Sequence, residues 1–299
     1  QDRSSAASDV YKRQGLFLSA VGSFWWGFFG VLYFKYISFA GHIEVVVHRS
    51  LWTAVTLLVT TIIFSKWKIF KEIISNKKQL FILFLSGVLI FLNWAVWIYA
   101  VSSNQVINAS FGYFIMPILS VFLGYFFFKE KLNKKRFVSI SLVLVSIVYI
   151  FLIDFKSIPW VGISVALSWG FYNLLRKKIS VSTDIGLFIE SLFILPFILI
   201  VFYLITQNNV NDFSLSNPIL MLILMMAGPM TVIPLFLYVR GVELCGLGPT
   251  GMIFYITPTL QFILGYFLFN EPFNINQLVS FILIWIAVFI YLRDLYENN

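Results

Sequence analysis

The chain has 299 residues, of which 60% are hydrophobic and 11% are charged, and its mean hydropathy is +0.90. Soluble domains carry about 25% charged residues, so this composition excludes a soluble globular domain. It predicts an all-α integral membrane protein, because its apolar segments reach the ~20 residues that span a bilayer. The net charge of +8 is attributed to cytoplasmic loops, and no nucleic-acid partner is predicted. Cys245 is the only cysteine, which excludes an intrachain disulfide and a thiol-based metal site.

Hydropathy predicts ten transmembrane helices, which we call spans 1 to 10 in chain order. Their bounds are residues 15–36, 45–64, 80–101, 105–128, 136–153, 159–176, 185–205, 218–239, 247–269 and 275–292. The polar stretch 1–14 precedes span 1, and we expect it to be a disordered or non-native extension. Residues 15–153 and 154–299 are predicted to form two domains of five spans each, the second ending in a short cytoplasmic tail.

Basic residues are distributed unequally between the two sides of the predicted bundle. With ten spans, the loops after spans 2, 4, 6 and 8 share a side with both termini. That side holds fifteen lysines and arginines after the opening stretch: Lys66, Lys68, Lys71, Lys77, Lys78, Lys129, Lys131, Lys134, Lys135, Arg136, Arg176, Lys177, Lys178, Arg240 and Arg293. The opposite side holds Lys35, Arg49 and Lys156. Because cytoplasmic loops are enriched in Lys and Arg, both termini are predicted to be cytoplasmic.

One stretch of the sequence occurs twice. PILSVFLGYFFFKEKL at 117–132 returns as PTLQFILGYFLFNEPF at 258–273, and over 23 positions aligned at an offset of 141 residues eleven are identical. The basic residues of the first copy are replaced in the second by uncharged residues, as expected if the second loop faces the other side. Each half has an odd number of spans, so the second half is predicted to be inverted. Inverted repeats can exchange conformations around a central cavity, which alternating access requires.

Ionisable side chains inside predicted spans are costly, and they are therefore the first candidates for function. In span 2, Glu44 and His48 share a helical face, and Arg49 lies on an adjacent one. These three residues, with Glu190 of span 7, are gating or coupling candidates. His48 is the candidate for proton coupling, because its ordinary pKa is near neutrality. The alternative is that Glu44, His48 and Arg49 form a packed polar cluster at the outer end.

Glu190 occupies the repeat position that corresponds to Arg49. Inversion would place the two side chains near opposite faces of the membrane, which disfavours an ion pair between them. Each is therefore interpreted as a separate gate or access residue. The alternative for Glu190 is pairing with Arg176 or Lys177.

Uncharged polar and aromatic side chains in spans 3, 4 and 9 are predicted to line a central cavity. The candidates are Asn93, Trp94, Trp97, Asn108, Tyr113, Ser120, Thr257 and Gln261. Any one aromatic also fits plain packing, but their concentration favours a cavity. Prolines inside spans free backbone carbonyls, which are tolerated where they face protein or a water-filled cavity. Four prolines are therefore predicted helix breaks: Pro117, Pro229, Pro234 and Pro258.

Seven further motifs follow one another along the chain: EVVVHRSLW, LNWAVWIYAV, NASFGYFIMPILSVFLG, ALSWGFYNLLRKK, IESLFILP, AGPMTVIPLF and TPTLQFILGYFLFNEPF. In order and spacing, from Gly15 to about Tyr291, they resemble the RarD family of EamA-type carriers in the drug/metabolite transporter superfamily. The resemblance implies ten helices in two inverted five-helix repeats, the bacterial inner membrane and transport of small molecules. Family members also carry a name that links them to chloramphenicol sensitivity. The family pattern has an amide where this chain has Met116 and Phe254, which implies a more apolar cavity.

The predicted function is a secondary transporter that moves a small organic solute, a metabolite or a drug-like compound, by alternating access in the lipid bilayer. No phosphate-binding loop and no hydrolase or metal motif occurs in the sequence, so no enzyme activity, cofactor or metal is predicted. A homodimer is left open. The first alternative is a non-transporting sensor or assembly protein, although no loop is long enough for a partner-binding domain. An integral membrane enzyme is a weaker alternative.

Overall fold

The computed structural model describes residues 2–129, 132–154, 160–208, 210–272 and 274–297, without the side chains of residues 2–9, 117, 120, 154, 295 and 296. The described residues form fourteen α-helices: α1 (Asp2–Trp25), α2 (Val31–Tyr36), α3 (Gly41–Ile63), α4 (Trp67–Ser75), α5 (Lys77–Ser102), α6 (Val106–Phe128), α7 (Lys134–Asp154), α8 (Trp160–Lys177), α9 (Thr183–Gln207), α10 (Pro218–Met225), α11 (Ala227–Cys245), α12 (Leu247–Ile253), α13 (Ile256–Phe267) and α14 (Ile275–Glu297). A π-helical turn, Trp26–Gly30, joins α1 to α2, and a 3-10 turn, Ile37–Ala40, joins α2 to α3.

Seven helical segments in these ranges are long and apolar enough to cross a membrane: Val10–Ile63, Lys77–Ser102, Val106–Phe128, Lys134–Ile153, Thr183–Gln207, Pro218–Cys245 and Ile275–Asp294. The all-α prediction is confirmed over the described residues, none of which lies in a strand. Each of the ten predicted spans overlaps at least one helix. The count of ten crossings and the inversion of the second half stay predictions. Spans 1 and 2 lie in one continuous segment, and span 9 is divided between the short helices α12 and α13.

The first helix begins earlier than hydropathy predicts. α1 starts at Asp2, whereas the apolar run starts near Gly15, so the stretch expected to be a disordered extension is helical from residue 2 onward. Hydropathy reports how apolar a segment is and not how readily it forms a helix. Polar and small residues such as Ala6 and Ala7 are compatible with a helix that continues beyond the apolar region.

Two of the four predicted proline breaks coincide with an interruption of the helix. Pro229 lies in the first turn of α11 and Pro258 in the first turn of α13, each just after the preceding helix has ended. Proline has no N–H for the carbonyl four residues earlier, and its ring clashes with that carbonyl, so it fits best in a first turn. The breaks predicted at Pro117 and Pro234 are wrong, because α6 and α11 continue through them. One missing hydrogen bond is tolerated where neighbouring helices support the chain.

At one end of the bundle, charged side chains join loops that are distant in sequence. Lys66, which precedes α4, forms an ion pair with Asp184 at the start of α9. Arg136 in the first turn of α7 pairs with the buried Asp294 near the end of α14, at 2.8 Å between Nε and Oδ2. These contacts bring together the loops that carry most of the basic residues.

A second group of loops meets at the other end. The Lys35 ammonium donates to Oδ1 of Asn104, between α5 and α6. The carboxylate of Glu271 accepts the backbone N–H groups of Val106 (3.1 Å) and Ile107 (2.8 Å) in the first turn of α6. A carboxylate at this position satisfies unpaired N–H groups and the positive end of the helix dipole. The contact ties the loop after α13 to the start of α6.

Glycines allow the closest approach between helices. A Cβ atom placed on Gly112 of α6 would lie 2.1 Å from the carbonyl oxygen of Gly162 in α8. A Cβ atom on Gly87 of α5 would lie 2.9 Å from the carbonyl oxygen of Glu190 in α9. Small residues at such crossings are typical of membrane helices, which gain stability by close packing instead of by the hydrophobic effect.

We expect Gly112→Ala to lower the melting temperature in detergent by several degrees, because the backbone of α8 cannot move aside cheaply and overpacking costs about 1–3 kcal/mol. The matched control is Gly30→Ala, where the new Cβ would meet no atom closer than 3.6 Å. Thermal unfolding of the purified proteins checks both. An unchanged melting temperature for Gly112→Ala would show that the α6–α8 crossing is looser than described.

Candidate functional site

Arg49 of α3 is fully buried, and aromatic rings surround its guanidinium. The distances from Cζ to the ring centroids are 4.7 Å for Trp26, 4.8 Å for Phe34, 4.7 Å for Trp94 and 5.4 Å for Trp97. We call these four rings the Arg49 cage. They come from two parts of the chain, the continuous stretch of the π-helical turn with α2, and α5, whose rings enclose one side chain of α3. Cation–π attraction to each ring offsets part of the cost of burying the charge.

The polar atoms of Arg49 have no acceptor. Its Nε, Nη1 and Nη2 atoms make no hydrogen bond, and no carboxylate lies within ion-pair distance, in the part of the chain that the structure describes. A guanidinium carries five N–H donors in a planar fork. Burying a charge without hydrogen bonds is strongly unfavourable. The site is therefore chemically suited to bind an acceptor that carries negative charge.

A narrow pocket lies next to the Arg49 cage, between α3, α5, α9 and α11. Trp94 belongs to both, and most of the other lining side chains are apolar: Leu57, Ile90, Phe91, Leu187, Ile194, Val232 and Leu235. The Ser50 and Thr53 hydroxyls also line the pocket. These hydroxyls and the indole N–H of Trp94 have no hydrogen-bond partner among the described residues. In this conformation the pocket has room for about one water molecule.

Glu190 lies in the wall of the same pocket and is held by three side chains. Ser86 donates to its carboxylate at 2.6 Å and Tyr172 at 3.3 Å, and Nη1 of Arg176 lies 3.6 Å away. The structure thus shows the alternative that pairs Glu190 with Arg176. It shows no ion pair between Glu190 and Arg49. The network joins α5, α8 and α9 inside the bundle.

Glu44 and His48 form a polar cluster that holds the loop before α10. The Glu44 carboxylate accepts the backbone N–H groups of Asp212 (2.9 Å) and Phe213 (3.0 Å), and it lies 3.3 Å from Nε2 of His48. The Trp52 indole lies 3.2 Å from Nδ1 of His48. Because an indole N–H can only donate, Nδ1 accepts, and this network assigns the His48 proton to Nε2 of a neutral ring.

The polar-cluster alternative for span 2 holds for Glu44 and His48 but is wrong for Arg49. Successive residues of an α-helix are about 100° apart, so Arg49 points away from the neighbouring His48. It enters the Arg49 cage instead of the cluster.

Two residues predicted to line the cavity serve in helix packing. Asn93 is fully buried, and its Nδ2 donates to the Val165 carbonyl and to the Ser168 hydroxyl, both at 3.1 Å. The hydroxyl of Thr257, also buried, donates to the Ser23 carbonyl at 2.9 Å. These bonds join α5 to α8 and α13 to α1. Neither residue lines the pocket next to the Arg49 cage.

The remaining residues predicted to line the cavity differ from one another in their exposure. Asn108 is exposed in the first turn of α6 and does not line the pocket next to the Arg49 cage, so its assignment to a cavity stays a prediction. Tyr113 and Gln261 are buried, and the Tyr113 hydroxyl and the Gln261 amide have no partner in the described ranges. The side chains of Ser120 and Pro117 lie outside the described part. No three His, Cys, Asp or Glu side chains of the described residues are grouped to hold a metal ion.

Sequence reasoning missed Trp26 and Phe34 of the Arg49 cage, and Ser86 and Tyr172 beside Glu190. With 19% aromatic residues in the chain, a single Trp or Phe carries little information. One signal was available for Trp26, because SFWWGFFGVL resembles ALSWGFYNLL in the second half. Nothing local distinguishes Phe34 from the many other phenylalanines.

Because Arg49 and Arg176 have different surroundings, we expect the same substitution to change the melting temperature in opposite directions. We expect Arg49→Met to raise the melting temperature in detergent by a few degrees, because it removes a buried charge that has no counter-ion in the described part of the chain. We expect Arg176→Met to lower it, because losing one partner of a buried pair costs about 3–5 kcal/mol. Thermal unfolding of both variants and the wild type checks this. A large decrease for Arg49→Met would show that the Arg49 cage is essential to the fold.

Comparison with known proteins places the chain in a family. The model of the EamA-like transporter family matches twice, over residues 13–152 and 156–293. The chain is 34% identical to the uncharacterized transporter YojE of Bacillus subtilis (strain 168), over 93% of each chain. It is 32% identical to protein RarD of Escherichia coli (strain K12), over 94% of this chain and 95% of that protein. A solved crystal structure with 11% identity shares the fold, with a TM-score of 0.62 over 95% of this chain and 96% of that one. With its seven membrane-length helical segments, the chain is a multi-pass membrane protein that belongs to the EamA-like transporter family, as a RarD-type member.

Proposed function

We propose that the protein is a secondary transporter of small organic solutes in the bacterial inner membrane, that it works by alternating access, and that both termini are cytoplasmic. The observation that carries the proposal is Arg49, which has no hydrogen-bond or ion-pair partner among the described residues, beside a pocket whose walls come from both halves of the chain. A buried charge in a membrane bundle marks a solute or ion pathway more often than a structural contact. The names of the relatives, which include a transporter, and the family match support the same function.

Contacts between repeat-related residues support the proposal of two halves with internal symmetry. The Tyr113 ring packs against Phe254 at 5.5 Å between centroids, and Phe114 packs against Tyr255 at 5.8 Å. Each residue thus contacts the one 141 positions later, its own repeat equivalent. Such self-contacts are what a two-fold axis between the halves would produce.

The contact between α7 and α14 also obeys the repeat relation between the two halves. The Ser139 hydroxyl donates to the Ala287 carbonyl at 2.6 Å, and the Ser280 hydroxyl donates to the Ser146 carbonyl at 3.3 Å. The repeat offset converts the first bond into the second. Trp26 against Trp97 (5.7 Å) in the first half and Trp169 against Tyr238 (5.8 Å) in the second form a further pair of similar contacts. Two equivalent halves can exchange conformations, as alternating access requires.

Solute flux distinguishes this proposal from the sensor or assembly alternative. Proteoliposomes loaded with a bacterial metabolite extract should lose particular solutes that protein-free liposomes retain, as measured by mass spectrometry of the external medium. Identical external solutes in both preparations would favour the non-transporting alternative.

Each end of the bundle should have to open during transport. In a Cys245→Ser background, we expect a cleavable crosslink between Lys35→Cys and Asn104→Cys to stop solute efflux. A crosslink between Lys66→Cys and Asp184→Cys should do the same at the other end, because both pairs are in contact when the bundle is closed. Reductive cleavage should restore the flux.

The control for crosslinking is Arg293→Cys with Glu297→Cys, a pair one turn apart within α14 whose crosslink joins no separate elements. Its flux should stay at the uncrosslinked rate. Full flux through both crosslinked ends would contradict alternating access.

His48 should not couple transport to protons. Both of its ring nitrogens are engaged, by Glu44 and Trp52, and its side chain has no exposed surface. We therefore expect His48→Gln to leave the shape of the pH dependence of transport unchanged, even if the overall rate falls. Flux measured from pH 5 to 8 checks this. A pH profile that becomes flat in the variant would return His48 to the mechanism.

A further inference from the structure

We propose that the solute is a small carboxylate with an apolar body, and that its carboxylate binds the guanidinium of Arg49. The inference rests on the proposed function, because it names the class of solute for the same pocket. Three features carry it: the unused donors of Arg49, the absence of an internal counter-ion among the described residues, and the composition of the adjoining pocket.

The surroundings of Arg49 favour a planar anion. The Arg49 cage supplies ring faces and no hydrogen-bond acceptor. The N–H groups of a guanidinium lie in its plane, where a carboxylate can accept two of them side by side. A single carboxylate also neutralises the single charge. A dianionic phosphate would leave a second charge to be buried in an apolar environment, which is unfavourable.

The protein's own carboxylates near this region are already engaged. Glu44, about one turn away on α3, accepts the backbone N–H groups of two residues in the loop before α10. Glu190, which lines the adjoining pocket, is held by Ser86, Tyr172 and Arg176. Moving either carboxylate to Arg49 would leave its present partners unsatisfied. An external anion is therefore the acceptor that can bind Arg49 without breaking the hydrogen bonds that Glu44 and Glu190 already make.

The pocket next to the Arg49 cage suits the rest of such a molecule. Most of its walls are apolar, and the Ser50 and Thr53 hydroxyls are buried there without partners among the described residues. Trp94 lies over Arg49 and also forms part of the pocket wall. Trp94 is thus the one lining side chain of the pocket that also belongs to the Arg49 cage, and we expect its ring to move when the anion binds. Since the pocket is narrow in this conformation, binding requires it to open, as it would in a transport cycle.

The test compares 3-phenylpropionate with 3-phenylpropionamide, which has the same shape and no charge. We expect the acid to raise the melting temperature of the purified protein, and to bind about tenfold or more tightly than the amide in calorimetry, because charge-assisted hydrogen bonds are the stronger ones. Arg49→Met should lose binding of the acid, and Arg49→Lys should keep a weakened form of it. The matched control Arg240→Met, at an exposed arginine that pairs with Glu243, should bind like the wild type.

Several results would overturn the inference: no binding of the acid to the wild type, equal binding of acid and amide, or unchanged binding in Arg49→Met. The melting temperature of ligand-free Arg49→Met shows whether that variant is folded, so lost binding cannot be mistaken for lost structure.

Flux separates this inference from the proposed function. If neutral solutes leave proteoliposomes equally well with Arg49→Met, transport stands and the carboxylate assignment fails. If the acid binds through Arg49 but no solute crosses, the assignment stands and transport fails.

Discussion

The buried guanidinium of Arg49 is the constraint on which the rest of the site depends. Four aromatic rings hold it where no described carboxylate reaches, so its charge is only partly compensated. The Arg49 cage exists only because rings from the π-helical turn, α2 and α5 reach the same side chain of α3. Buried polar contacts hold the helices that carry these residues, from Asn93 of α5 to α8 and from Glu44 of α3 to the loop before α10. The buried charge of Arg49 thus lowers the stability of the bundle locally, while the polar groups of Asn93 and Glu44 nearby form hydrogen bonds. Such local instability is common at functional sites.

Arg176 shows what the same residue type does when its charge is matched. It pairs with Glu190, which forms part of the pocket wall, and it also donates to the Thr183 carbonyl. Arg49 and Glu190 are repeat equivalents, yet they have opposite charge and unlike partners. If the halves are inverted copies, this position has become chemically different in each. Glu190 lines the pocket with its carboxylate already engaged, whereas Arg49 lies in the adjacent Arg49 cage with unused donors.

Part of the candidate site could be predicted from the sequence, because a charge inside an apolar span is unfavourable wherever it packs. That reasoning selected Arg49 and Glu190. The proline argument held where Pro229 and Pro258 start a new helix and failed at Pro234, because losing one backbone hydrogen bond need not end a helix that its neighbours support. Phe34 was missed because nothing local distinguishes it from the many other phenylalanines of so apolar a chain.

The sequence by itself determined that the chain is helical and apolar enough for a membrane, and which spans carry charge. Lipid offers no hydrogen bonds to the backbone, so apolar runs of this length must become helices whatever they pack against. Only the tertiary structure decided which buried groups are paired. Arg49 and Arg176 are both basic residues in helical segments, and nothing local to either predicts a cage of rings for one and a carboxylate for the other. That outcome depends on the rotation and contacts of helices distant in the sequence, which place Trp94 against Arg49 and Glu190 against Arg176.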